Sequence, residues 1–138
     1  MEINGRWRDF RRRTPFRKRR NKVLVDFLRD SELLKRDETT LIDLTAANLS
    51  GADLRGVNLA GSSDVTVDLS GCTLIGAKLG GAYLNNTLLV GANVSNADLS
   101  NADLSRSNLS GADLRSATLR GATLTGANLT RAKLPPTD

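Results

Sequence analysis

The stretch NLSGADLRGVNLAG, residues 48–61, sets Leu49, Leu54 and Leu59 five residues apart, each preceded by Asn or Asp. Followed outward, the spacing extends far in both directions. From Leu44 to Leu134, seventeen of the nineteen positions in this register are Leu, and the other two are Asp64 and Val94. Two residues earlier, from Ile42 to Ala132, twelve of nineteen are Ala. The exceptions there are Ile42, Val57, Ser62, Val67, Cys72, Thr87 and Ser107. The residue two after each Leu is often Gly or Asn. Internal repetition of this kind decides the architecture before any local propensity does.

A period of five fits neither regular element. Five residues make about 1.4 turns of an α-helix, which would scatter the Leu side chains around its circumference. On a long strand an odd period sends alternate Leu residues to opposite faces. Each unit is therefore a short extended segment followed by a bend. Within the segment, Leu and the small residue two before it point the same way. Gly, Asn and Ser near the bends supply permissive backbone and local side-chain hydrogen bonds.

The units ADLRG, ANLSG and ADLSN resemble the pentapeptide repeat family, A(D/N)LXX, over roughly residues 41–134. The resemblance implies an all-β solenoid: a right-handed quadrilateral β-helix with four units per coil. The nineteen units counted without interruption then make about 4.75 coils. At a strand spacing of about 4.8 Å the rod is roughly 23 Å long. The expected structural core is Leu44, Leu49, Leu54, Leu59, Leu69, Leu74, Leu79, Leu84, Leu99, Leu104, Leu109, Leu114, Leu119, Leu124 and Leu129. The segment RNKVLVDFLRDSELLKRDETTLIDLTAANL, beginning at Arg20, resembles the helix-to-repeat junction of bacterial pentapeptide proteins that carry a membrane anchor upstream.

The residues before the repeats read as a different construction. Residues 1–13 form a basic, flexible arm, residues 14–38 a helical cap, residues 39–134 the β-helix and residues 135–138 a tail. Thr14 can cap a helix with Pro15 at its first position. Phe16, Val23, Leu24, Phe27 and Leu28 then share one face. An open solenoid end exposes core and unpaired strand edges, which such a helix would cover. Pro135 and Pro136 discourage strand addition at the other end. Of the five aromatic residues, only Tyr83 lies beyond position 27.

Composition excludes much chemistry. The chain has 138 residues, no His and one Cys, so His-based acid–base catalysis, intramolecular disulfides and Cys-cluster zinc sites are out of reach. No cofactor, metal, small-molecule substrate or catalytic residue is expected. The charged opening sequence is not a secretory signal, and a cytoplasmic location is expected. Net charge is +5, but residues 1–22 carry ten basic and two acidic groups while residues 41–138 are close to neutral.

Three features could carry function. Arg11, Arg12, Arg13, Arg17, Lys18, Arg19 and Arg20 could contact phosphates on nucleic acid or an anionic membrane surface. The plainer reading is a solvated tail. In unbroken register Val65, Tyr83, Leu88 and Val90 all face outward and could form a partner patch. The plainer reading is scattered apolar surface. Asp64 occupies a Leu slot, and burying a lone carboxylate is costly. A bulge that turns Asp64 outward and Val65 inward relieves that cost.

At twenty residues per coil the outward columns are Asp43, Ser63, Tyr83, Asp103, Thr123; Asn48, Asp68, Leu88, Asn108, Asn128; Asp53, Thr73, Asn93, Asp113, Lys133; and Asn58, Lys78, Asp98, Thr118. None is continuously acidic, which weighs against the DNA-mimicking, gyrase-directed branch of the family. The expected function is a non-catalytic rigid scaffold or protein-interaction module. Binding through the basic arm is the alternative.

Overall fold

The computed structural model describes Val25, Asp26, Leu28, Arg29 and residues 40–136. Strand β1 (Thr40–Asp43) pairs in parallel with β2 (Val65–Asp68), with Asp43 opposite Asp68. From there the chain winds as a ladder of single-residue parallel bridges. The first side carries Asp43, Asp68, Leu88, Asn108 and Asn128, and the second Asn48, Thr73, Asn93, Asp113 and Lys133. The third carries Asp53, Lys78, Asp98 and Thr118, and the fourth Asn58, Tyr83, Asp103 and Thr123. Four sides per coil make this a solenoid.

Each coil bonds to the next three times per side, twice along the side and once from the bend, as in Gly51 N–H to the Ile75 carbonyl at 2.9 Å. On the second side, the Leu49 N–H donates to the Thr73 carbonyl at 2.7 Å and the Thr73 N–H donates to the Ala47 carbonyl at 2.9 Å. The pattern repeats to Leu114 and Lys133. Leu and the small residue two before it both point inward. Leu44 to Leu114 are at most 2% exposed where Leu fills the slot, and Val94 fills it equally well. Each buried Leu contributes about 1.5–3 kcal/mol. Thr87 and Ser107 occupy small-residue slots, and their hydroxyls donate to the Leu84 and Leu104 carbonyls at 2.6 and 2.7 Å. The buried polar groups are thereby satisfied.

The bends explain the other repeat positions. The Leu carbonyl accepts from the N–H three residues on, as between Leu99 and Ala102 at 3.0 Å. The residue two after Leu has a φ of 57–74° at the bends that follow this pattern. A positive φ at the third turn residue defines a type II turn and favours Gly or Asn there. The Asp or Asn before Leu closes the bend from outside. Asn48 Oδ1 accepts the Ser50 N–H at 3.2 Å, and Asp103 Oδ1 accepts both the Ser105 N–H and its hydroxyl at 2.9 and 2.6 Å. Polar side chains here complete an Asx turn.

The uninterrupted count of nineteen units does not survive. The first coil takes 25 residues from Asp43 to Asp68, and later coils take 20. Five extra residues ending at Asp64, just before β2, loop out of the ladder, leaving about 4.5 coils and a length of about 22 Å. The columns that crossed this point are accordingly regrouped: Tyr83 stacks on Asn58 and not on Ser63. As the slot argument expected, Asp64 is exposed and Val65 is 2% exposed. The Ser62 hydroxyl accepts the Asp64 and Val65 N–H groups at 3.3 and 3.1 Å, and the Ser62 N–H donates to the Val65 carbonyl at 2.8 Å. Gly61 makes the loop fit, because a Cβ there would collide with the Asn86 carbonyl.

The two ends differ. Of the cap expected at 14–38, Val25, Asp26, Leu28 and Arg29 are described, and they are helical. Leu28 is 2% exposed and joins the core. Arg29 Nη1 donates to the carbonyls of Asp53 and Arg55 at 3.3 and 3.0 Å, so its guanidinium occupies part of the first coil's open edge. At the other end Leu119, Leu124 and Leu129 are half-buried and Leu134 is 49% exposed. The repeat stops at Leu134 for a local reason. The next bend would need a positive φ at Pro136, and the proline ring holds φ near −65°.

Candidate interaction surfaces

Each side of the solenoid ends in a corner. The first corner follows Leu44, Leu69, Leu89, Leu109 and Leu129, and the second follows Leu49, Leu74, Val94, Leu114 and Leu134. Valine in the inward slot leaves the second corner unchanged, with Asn96 at a φ of 59°. The third corner follows Leu54, Leu79, Leu99 and Leu119, and the fourth follows Leu59, Leu84, Leu104 and Leu124.

The residues expected to form a partner patch divide. Tyr83 is 53% exposed on the fourth side, Leu88 is half-buried on the first side, and Val90 is 40% exposed at the first corner. They occupy consecutive sides. Val65 is not among them. It faces the core, because the bulge that frees Asp64 turns it inward. Ile75, 40% exposed at the second corner, is an outward apolar residue that the sequence reading did not single out, although its place just after Leu74 marks it as outward. Arg11, Arg12, Arg13, Arg17, Lys18, Arg19 and Arg20 lie outside the described residues.

Charge on the solenoid is arranged by end. Residues 40–105 carry Asp43, Asp53, Asp64, Asp68, Asp98 and Asp103 against Arg55 and Lys78. Residues 106–133 carry Arg106, Arg115, Arg120, Arg131 and Lys133 against Asp113 alone. These five basic side chains are exposed. Sequence reading missed this arrangement, because it followed the columns just before each Leu, and the four arginines lie one or two residues after it. Arg131 falls at the first corner, Arg115 at the second, Arg120 at the third and Arg106 at the fourth.

Local bonding tunes the carboxylates. Arg115 donates to both Asp113 oxygens, at 3.0 and 2.7 Å. That pairing, with the Arg115 N–H, lowers the Asp113 pKa to about 2. Hydrogen bonds from Ser100 and Ser105 likewise hold Asp98 and Asp103 below the usual carboxylate value. The Cys72 thiol is buried, and desolvation pushes its pKa up to about 12. Among the described residues no group of three or more His, Cys, Asp or Glu side chains is placed to hold a metal ion. No helix among them is long and apolar enough to cross a membrane.

A four-sided coil with Leu and small residues inward and Asx-closed bends is the architecture that the repeat resemblance implied. The sequence profile described as Pentapeptide repeats matches residues 41–63, 68–106 and 97–134, in eight copies. The gap between the first two matched segments, residues 64–67, begins at Asp64 and runs into β2. The chain belongs to the pentapeptide repeat family. Among solved structures it is similar to HetL, a pentapeptide repeat protein involved in heterocyst differentiation regulation from the cyanobacterium Nostoc sp. strain PCC 7120. The identity is 32% over 70% of this chain and 56% of HetL, with a TM-score of 0.46, so the chain spans little more than half of that protein's length. It is also similar to AT2G44920, a pentapeptide repeat protein from the Arabidopsis thaliana thylakoid lumen. There the identity is 30% over 70% of this chain and 72% of the other, with a TM-score of 0.34. Comparison with curated protein sequences gives no match.

Proposed function

We propose that the chain is a non-catalytic interaction module: a rigid rod that presents side chains at fixed spacing to a protein partner. The observation that carries this reading is the division of labour within each repeat. Inward positions are filled by Leu and mostly small residues, bend positions are fixed by backbone geometry, and the charged residues of the ladder lie outside. The carboxylates of Asp43, Asp53, Asp68, Asp98, Asp103 and Asp113 each bond to their own bend, which suits recognition better than catalysis. The same reading extends the helical residues around Leu28 to a cap over residues 14–38, and keeps a cytoplasmic location.

Co-purification from the native cell tests it, comparing the full chain with a chain starting at Asn21. Recovery of the same protein with both would support a partner held by the solenoid. Recovery with neither would sink the reading. The concentration of positive charge in residues 1–22 favours a second reading, binding of nucleic acid or an anionic membrane through the arm. Retention on DNA that falls with salt and disappears in the shorter chain would support it instead.

A further inference from the structure

The two ends of the rod are finished differently. At the first coil, Leu28 and Arg29 occupy the end, and Arg29 bonds two edge carbonyls. At the other end, the N–H groups of Leu119, Leu124, Leu129 and Leu134 and the carbonyls of Ala117, Ala122, Ala127 and Ala132 have no hydrogen-bond partner among the described residues. In the coil below, the equivalent groups are all bonded, as in Leu99 N–H to Thr118 O at 2.8 Å and Thr118 N–H to Ala97 O at 2.9 Å. The unpaired groups are strand groups, and they select a strand. The half-buried Leu119, Leu124, Ala127 and Leu129 add an apolar floor.

Charge selects among strands. Arg106, Arg120 and Arg131 place guanidiniums at three of the four corners around this end, and Arg115 at the remaining corner is paired with Asp113. A second copy docked end to end would bring two such collars together, and like-charge juxtaposition opposes that. Docking on the first-coil end of another copy meets Leu28 and Arg29. Resting on the interaction reading above, we infer that this end of the solenoid binds an extended, acidic segment of a different protein by strand addition. The segment's backbone bonds one side of the free edge, its apolar side chains cover the Leu residues beside it, and its carboxylates meet the arginines at the flanking corners.

The test uses the full chain and a fluorescein-labelled eight-residue peptide alternating Val and Glu, with a Val–Lys peptide as control. Anisotropy should rise with the Glu peptide and not the Lys peptide, and binding should weaken with salt. Replacing Arg106, Arg120 and Arg131 by Glu should weaken it at least tenfold, and replacing them by Lys should restore most of it. Hydrogen exchange should slow on binding at the Leu amide of the side where the peptide lies, one of Leu119, Leu124, Leu129 and Leu134. Equal binding of both peptides would overturn the inference. So would unchanged exchange at those four amides, or their protection without peptide as the chain dimerises. If the Glu variant recovers the same cellular partner as the native chain, the inference fails while the interaction reading stands. If neither recovers any partner, the reading itself fails.

Discussion

Ala46, Arg106, Ser116 and Arg131 take positive φ at bends where other units use Gly or Asn. The left-handed region costs a residue with a Cβ about 1–2 kcal/mol, and glycine's greater freedom in the unfolded chain returns part of that. Ser116→Gly is therefore expected to stabilise the rod by about 0.5–1 kcal/mol in urea denaturation, and a loss of stability would contradict the turn assignment. The carboxylates give a pH signature. Asp98, Asp103 and Asp113 have folded pKa values below their unfolded values, so their contribution is present above the unfolded pKa near 3.8 and lost as pH falls. For Asp113 the loss runs from about pH 4 to about pH 2. Changing all three to Asn keeps each side-chain acceptor and removes the titration. The melting temperature of that variant should fall less steeply over this window. Cys72 should react with a thiol reagent only when the chain unfolds, and rapid labelling of the native protein would contradict its burial.

At the level of elements, inward Leu residues differ by coil. Leu99→Ala removes a fully buried side chain and is expected to cost about 2–5 kcal/mol. Leu129→Ala, at a half-buried position, should cost clearly less, as equilibrium unfolding can show. The looped-out unit offers a sharper comparison. Deleting residues 62–66 joins Gly61 to Val67 and leaves glycine at the left-handed bend position. Deleting residues 60–64 leaves Thr66 there. Both lose the burial of Val65, so the second should be less stable by about 1–2 kcal/mol. The repeat itself was legible because Leu, the small residue and the Asx residue each answer to one geometric demand. The loop was not, because an insertion as long as the repeat preserves the count by fives. Only Asp64 in a Leu slot betrayed it. The error then spread to every column compared across it, while the columns beyond Asp68 kept their true spacing of twenty.

For the whole molecule, that loop governs orientation. A regular extra unit would add one side and turn everything after it by a quarter revolution relative to everything before. The unit at Asp64 bulges outward, so it adds five residues and no rotation. Asn58 still stacks under Tyr83, and the side that Arg29 grips keeps its bearing toward the far end. Azimuth is thus conserved independently of sequence length. A homologue could gain whole coils in steps of four units, or bulges of any size, and still aim the same side at the same partner. One added pentapeptide in the ladder would aim it a quarter turn away.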